Sequence, residues 1–191
     1  MLAFIKAFFS GLAAFIGGMF PPPAYDVRPE ELPMNQDAEP IKEDPEPIKE
    51  IPEPIKTRAD LIYEAARAML GKDASPNNLA PLELSCAEAV SSIIHPFVQD
   101  IPPDVISTVV LNKHLRESKH LKGVLDAKPG TIIMSPAAGG VYGHCGIFLE
   151  GGRIASNDSR NGKFLYNYNI DTWVKEMRAR RGLKIYYYEP I

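Results

Sequence analysis

Two side chains of the sequence, Cys86 and His144, have the chemistry of a thiol nucleophile and its base. Cys86 lies near the start of a predicted helix, where the helix dipole and the free N–H groups favour a thiolate and can bind an oxyanion. His144 begins a predicted strand that also contains Gly146, and Gly143 precedes it. We expect these glycines to leave room for an approaching substrate. A thiolate paired with histidine attacks carbonyl carbons, so the sequence predicts amide or ester cleavage.

A histidine base also needs a polar group that holds its ring. The strand that follows His144, beyond a turn at 151–152, ends in Ser156, Asn157 and Asp158. Strands joined by a tight turn pair with each other, so the end of this strand should lie beside His144. Each of the three side chains is therefore a candidate orienting group. The order is nucleophile on a helix, base on a strand and orienting group on the neighbouring strand.

Other residues give weaker signals. Glu88 lies close to Cys86 and is a candidate substrate-binding residue, with a solvated helix position as the alternative. Cys145 should face away from His144 and pack in the core, because adjacent strand residues alternate between the faces of a sheet. The two cysteines do not have a zinc-site spacing, and the remaining histidines are not spaced as metal ligands. We therefore predict neither a metal nor a cofactor.

The periodicity of apolar residues places helices first and most strands later. Helices are predicted over 61–70, 82–94, 107–118 and 171–180. Strands are predicted over 131–134, 144–149, 153–156, 164–168 and 184–188. Thr57 or Asp60 is expected to cap the first helix, and Gly71 to end it. Helices followed by antiparallel strands indicate an α+β domain over 57–191.

The first 20 residues are apolar and contain one charge, Lys6. The uncharged run over 7–20 is shorter than the roughly 17–25 residues of a spanning helix, although a snorkelling Lys6 would lengthen it. We favour an uncleaved signal anchor over a cleaved signal peptide or a buried or amphipathic helix. No small-residue cleavage site is well placed, and three prolines follow directly. The positive-inside rule then places the rest of the chain outside the cytoplasm.

Residues 21–56 form a linker that holds 10 of the 18 prolines, 10 acids and 4 bases. The sequence Glu-Pro-Ile-Lys recurs every seven residues, starting at Glu39, Glu46 and Glu53. Proline in every repeat prevents a continuous helix, so we predict an extended, polyproline-II-like spacer. The net charge of −3 comes from this linker. The predicted domain lacks a dense basic stripe, which argues against a nucleic-acid partner.

Three segments resemble papain-like peptidoglycan hydrolases of the NlpC and CHAP types. Residues 86–90 are similar to their nucleophile helix, with the sequence Cys-Ala-Glu-Ala-Val. Residues 143–147 are similar to their base strand, with Cys145 in the place of the usual valine. Residues 129–133 are similar to a strand of these hydrolases that begins with Pro-Gly. The segment 156–173 resembles a subgroup common in phage and phage-derived lysis or wall-degrading proteins. The resemblance covers about 57–191.

The resemblance implies a papain-like core, in which N-terminal helices pack on an antiparallel sheet. It also implies that Cys86 and His144 cleave an amide in the peptide part of peptidoglycan. The CHAP-like pattern favours Asn157 as the orienting residue. In NlpC-type relatives, an ungapped count of residues from the base strand to the orienting residue leads to Ser156 instead. Asp158 is the third alternative.

These observations predict a peptidoglycan hydrolase that is a monomer and is tethered to a membrane by its N-terminal helix. Its catalytic domain is expected outside the cytoplasm, on the periplasmic side, with a secreted or virion-associated protein as the alternative. Two other functions remain open. One is a thiol hydrolase of proteins or other acyl amides, and the other is a catalytically silent wall-binding module. The intact Cys–His pair argues against the silent module.

Overall fold

The computed structural model describes residues 55–191, so the predicted anchor and the linker up to residue 54 lie outside the described residues. The α-helices are α1 (Arg58–Met69), α2 (Cys86–Ile94), α3 (Thr108–Glu117) and α4 (Ile170–Trp173). A π-helix, Val174–Arg180, continues α4. The strands are β1 (Leu121–Val124), β2 (Ile132–Ser135), β3 (His144–Phe148), β4 (Arg153–Asp158), β5 (Lys163–Asn169) and β6 (Tyr186–Pro190). None of the helices within 55–191 is long and apolar enough to cross a membrane.

The six strands form one antiparallel sheet in the order β1-β6-β2-β3-β4-β5. The last strand, β6, pairs with β1 on one side and with β2 on the other. Strands β3 and β4 form the hairpin that the sequence predicts, with Gly146 opposite Ser156 and Ile147 opposite Ala155. This register decides which β4 side chains share a face with His144. The predicted α+β class, with N-terminal helices on an antiparallel sheet, is confirmed.

Side-chain alternation along the strands separates two cores. On one face, Ile132, Met134 and Ile147 pack in a buried cluster with residues of α1, α2 and α3. On the other face, Ile133 and Ile154 pack with residues of α4 and the π-helix that follows it. Burial of apolar side chains on both faces stabilises the sheet. The sheet therefore lies between two helical layers, with the N-terminal helices on one side only.

Helix boundaries follow local capping chemistry. Thr57 and Asp60 form a capping box at the start of α1, which satisfies N–H groups that have no partner within the helix. Ser107 caps α3 by accepting from the Val110 N–H at 3.4 Å. The helix predicted from residue 82 begins four positions later, because Leu82–Leu84 forms a separate 3-10 turn. Cys86 is consequently the first residue of α2.

Strand β1 was not predicted from the sequence. It has only four residues and includes the exposed Lys122 and Gly123, and glycine in a strand weakens the β pattern. It pairs with β6 alone, at one edge of the sheet. Its existence depends on a strand about 65 residues further along the chain, which a local pattern does not reveal.

Candidate active site

The thiol of Cys86 lies at the start of α2, directly after the Leu82–Leu84 turn. Ser85 occupies the capping position, but its hydroxyl donates back to the Leu82 carbonyl at 2.9 Å and caps no N–H group of α2. The first turn of a helix has N–H groups without intrahelical partners, and the helix dipole adds positive potential there. The position of Cys86 therefore favours its thiolate.

His144 and Cys86 come from distant parts of the sequence and line one cleft of about 940 Å³. We refer to it as the Cys–His cleft. His144 is half-buried at the first position of β3, and Cys86 is 5% exposed. Helix α2 packs against β3 and β4, and this packing brings the two side chains together.

A chain of hydrogen bonds holds the His144 ring. Nε2 of His144 lies 3.0 Å from Oγ of Ser156. The same Oγ accepts a hydrogen bond from Nδ2 of Asn167 at 3.2 Å, and this Nδ2 also donates to the Ser156 carbonyl at 3.0 Å. Ser156 is fully buried, so its hydroxyl is fixed between the two side chains. With Nε2 engaged in this way, Nδ1 is the ring nitrogen left for the thiol.

Two aromatic rings also confine His144. Trp173 stacks on it with ring centroids 5.3 Å apart and 23° between the planes, and Tyr168 contacts it edge-on at 5.6 Å. Trp173 is fully buried, and its Nε1 donates to Oγ of Ser135 at 3.1 Å. A place for Trp173 at the site was not predicted from the sequence. Its position in the segment with the phage-type resemblance was the only available signal.

The structure brings Ser156 to His144, rather than the favoured Asn157. Adjacent residues of β4 face opposite sides of the sheet, and the register puts Ser156 on the His144 side. Nδ2 of Asn157 instead donates to the Leu82 carbonyl at 2.7 Å. Asp158 lines the Cys–His cleft, but its Oδ1 accepts from the backbone N–H of Arg160 at 3.0 Å. Of the three candidates, only Ser156 hydrogen-bonds to the base within residues 55–191.

Asn157 anchors the turn that leads to the nucleophile. Its bond to Leu82 joins β4 to the Leu82–Leu84 turn. Gly162 supports the same contact, because a Cβ there would lie 2.5 Å from the Leu82 side chain. Oδ1 of Asn157 is buried and has no hydrogen-bond partner among the described residues.

The two cysteines, both free thiols, have opposite pKa shifts. The pKa of Cys86 lies well below the ordinary thiol value, because the adjacent Cys145 thiol and, to a smaller extent, the neighbouring His144 ring favour the thiolate. Burial opposes this shift but does not outweigh it. Burial and the neighbouring Cys86 raise the pKa of Cys145 well above its ordinary value. Cys86 therefore ionises first, and Cys145 is the thiol that stabilises it.

Glu88 lies outside the lining of the cleft, which disagrees with its predicted substrate-binding role. It is fully buried. Its carboxylate accepts hydrogen bonds from the Ser75 hydroxyl at 2.6 Å and from the backbone N–H groups of Asn77 and Ala80 at 2.8 and 3.0 Å. A glutamate is usually expected at the surface, so the burial of Glu88 and its hydrogen bonds were not predicted from the sequence. Glu88 fixes the loop that precedes the nucleophile.

Gly143 and Gly146 are required for close packing of the backbone. A Cβ at Gly143 would lie 2.4 Å from the Ala137 nitrogen and 2.5 Å from the Ser135 carbonyl oxygen. A Cβ at Gly146 would lie 2.6 Å from the Ala155 carbonyl oxygen. Gly143 also lines the Cys–His cleft, and Gly146 does not.

Ser156→Ala should lower kcat by about five- to tenfold with little change in KM, because it removes one net hydrogen bond from the base. The measurement is the pH profile of kcat, compared with that of Asp158→Asn. Asp158 bonds to Arg160 and not to His144, so its substitution should lower kcat less. A larger fall for Asp158→Asn than for Ser156→Ala would contradict the assignment of Ser156.

No protein-family model, curated protein or solved structure matches the sequence. Within 55–191, no group of three or more His, Cys, Asp or Glu residues is arranged to hold a metal ion. A buried thiol with a lowered pKa and a firmly held imidazole share one cleft, and this arrangement suits nucleophilic attack on a carbonyl carbon.

Proposed function

We propose that the protein is a papain-like thiol hydrolase that cleaves an amide bond in the peptide part of peptidoglycan. One observation carries the proposal. Cys86, at the start of a helix and with a lowered pKa, shares a cleft with a histidine whose far ring nitrogen is held by Ser156. A buried cysteine of purely structural role has no need of a helix start, a base or an orienting group.

In the proposed reaction, the Cys86 thiolate attacks the amide carbonyl carbon. N–H groups at the start of α2 stabilise the resulting oxyanion. Protonated His144 gives its proton to the leaving amine as the C–N bond breaks, and the acyl group stays on sulfur as a thioester. His144 then removes a proton from water, which attacks the thioester. The acid product leaves, and the thiolate and the protonated base are restored.

Three residues around Cys86 and His144 support this cycle. Ser156 holds Nε2 of His144, so that the other ring nitrogen can exchange the proton. The Cys145 thiol stabilises the Cys86 thiolate between turnovers. A neutral serine is a weaker orienting group than a carboxylate. The stacked Trp173 ring restricts the base further.

The choice of substrate rests on the sequence segments that resemble NlpC-type and CHAP-type hydrolases. In the structure, these segments form the start of α2, the strand β3 and the approach to β2. The arrangement of N-terminal helices on an antiparallel sheet is compatible with the papain-like core that the resemblance implies. Peptidoglycan is therefore the first substrate to test, and its peptide amides are the bonds to follow.

The test is digestion of purified cell-wall sacculi by the full-length chain, with Cys86→Ala as the control. Released products are identified by mass spectrometry. We expect shortened peptides with new amino termini and an uncut glycan, formed only by the wild type. Cleavage of a protein such as casein, but not of sacculi, would indicate a protein hydrolase instead. Binding to sacculi without any product would indicate a silent wall-binding module.

We also propose that residues 1–20 anchor the protein in a membrane and that the proline-rich linker extends the hydrolase domain outside the cytoplasm. The support is the apolar run over 7–20, together with the positive charge of Lys6 before this run and the acidic linker after it. The full-length chain should be recovered with membranes, and a chain without residues 1–20 should be soluble. Recovery of the full-length chain in the cytosol would contradict the tether, and a shortened membrane-free product would indicate a cleaved signal peptide.

A further inference from the structure

The lining of the Cys–His cleft includes a firmly held guanidinium, Arg181, that the proposed reaction does not use. Its Nε donates to Oε1 of Glu176 at 2.8 Å, and its Nη1 donates to the Tyr142 carbonyl at 3.1 Å. A guanidinium has five N–H donors in a fixed plane. Two bonds orient this plane and leave the other N–H groups for a ligand. The side chain is 27% exposed, so a molecule in the cleft can reach it.

The positive charge of Arg181 is only partly balanced. Arg180 also donates to the carboxylate of Glu176, from Nε to Oε2 at 2.6 Å and from Nη2 to Oε1. Hydrogen bonds from Arg180 and then from Arg181 lower the pKa of Glu176 to about 2. One carboxylate is thus shared by two guanidinium groups, which leaves a surplus of one positive charge beside the cleft.

The other charged residues of the lining are one ion pair and one acid. Asp158 forms an ion pair with Arg160 at 3.7 Å, so these two largely balance each other. Glu83, on the turn before Cys86, offsets one positive charge in the formal count for the whole cleft. A neighbouring groove shares Asn167 and Tyr168 with the cleft and adds Lys175, Glu176 and Arg180. Arg181 joins this groove through its bond to Glu176, so the net positive charge is local to Arg181 and the groove.

We propose that Arg181 forms a carboxylate subsite of the Cys–His cleft, which selects peptides that carry a free carboxyl group near the scissile amide. The inference rests on the proposed function and specifies the substrate further. A planar guanidinium binds a carboxylate through two parallel hydrogen bonds, and the charge on both partners strengthens them. A carboxamide of the same shape offers no negative charge and presents one donor where an acceptor is needed. Conversion of the carboxyl group to an amide should therefore weaken binding.

The test uses two synthetic peptidoglycan stem peptides that differ in one carboxyl group beside the cleaved bond, free in one and amidated in the other. The full-length wild type should have a kcat/KM about 10- to 100-fold higher for the free acid. Arg181→Gln should lower kcat/KM for the free acid by that factor. Its kcat/KM for the amidated peptide should stay within about threefold of the wild-type value. Arg181→Lys, which keeps the charge, should recover part of the preference. Arg178→Gln is the matched control, because Arg178 is an exposed arginine of the same π-helix and lies outside the lining of the cleft and of the groove, and it should keep the preference.

Equal cleavage of the two peptides by the wild type would overturn the subsite while leaving the hydrolase intact. An equal loss on both peptides in a folded Arg181→Gln variant would also overturn it, because Arg181 would then act only through its bond to Tyr142. Thermal unfolding shows whether the variant is folded. If Arg181→Gln is unfolded, Arg181→Lys decides the question, since a partial preference in this variant supports the subsite and no preference overturns it. Cleavage of neither peptide by the wild type would overturn the proposed function, and the subsite with it.

Discussion

Cys86→Ala should abolish hydrolysis, with kcat lower by at least about 10,000-fold. Alanine cannot form the thioester, and the remaining groups bind a substrate without a nucleophile. The substitution removes a single sulfur from a position that is 5% exposed, so the free energy of unfolding should change by only about 1 kcal/mol. Product release is measured by mass spectrometry and folding by circular dichroism. A folded variant that keeps a tenth of the wild-type activity would exclude Cys86 as the nucleophile.

Cys145→Val is the matched control, because it changes the neighbouring buried cysteine to a side chain of similar volume. It should retain most activity at its own pH optimum, because Cys145 forms no bond to the substrate in the proposed reaction. It also removes the largest cause of the lowered Cys86 pKa. Alkylation of Cys86 by iodoacetamide should therefore become half-maximal at a higher pH than in the wild type. An unchanged alkylation profile would show that Cys145 does not stabilise the thiolate.

Glu88→Gln should lower the free energy of unfolding by about 2–4 kcal/mol, an effect as large as a major core substitution. All three partners of the carboxylate are donors, two of them backbone N–H groups. An amide of the same shape has only one acceptor oxygen, so its NH2 group must face one of these donors. The loop before Cys86 should loosen as a result. Urea denaturation followed by circular dichroism measures the change.

Glu117→Gln is a suitable control for Glu88. Glu117 is an exposed glutamate at the end of α3, and exposed substitutions usually change stability by less than about 0.5 kcal/mol. Equal stabilities of the Glu88 and Glu117 variants would mean that the three hydrogen bonds contribute little to folding. Activity of Glu88→Gln, measured well below its melting temperature, would show how far the loop positions the nucleophile.

Local chemistry made much of the fold predictable. Thr57, Asp60 and Ser107 have short side chains that satisfy the first N–H groups of a helix, and this capping depends only on neighbours in the sequence. The β3–β4 hairpin likewise follows from a glycine turn between two apolar strands. The nucleophile and base were proposed from their places at element starts, and the structure brings them to one cleft.

Features that depend on register and burial could not be predicted in the same way. Ser156 and Asn157 are both polar, and a shift of one residue in pairing would exchange their faces. Only the observed register puts Ser156 beside His144. The stacking of Trp173 on His144 joins residues from different elements, and Glu88 is buried because a distant loop supplies its donors. These contacts are tertiary, and no short segment of the sequence encodes them.

The position of β6 has a consequence for folding. Tyr186–Pro190 come more than 60 residues after β1 and about 50 after β2 in the sequence, yet their strand lies between these two in the sheet. Until β6 joins them, β1 lacks its partner strand and one edge of β2 stays open. We therefore expect this half of the sheet to form late in folding, as is typical of pairings between residues far apart in sequence. Deletion of 186–190 would remove an internal strand and separate β1 from the rest of the sheet.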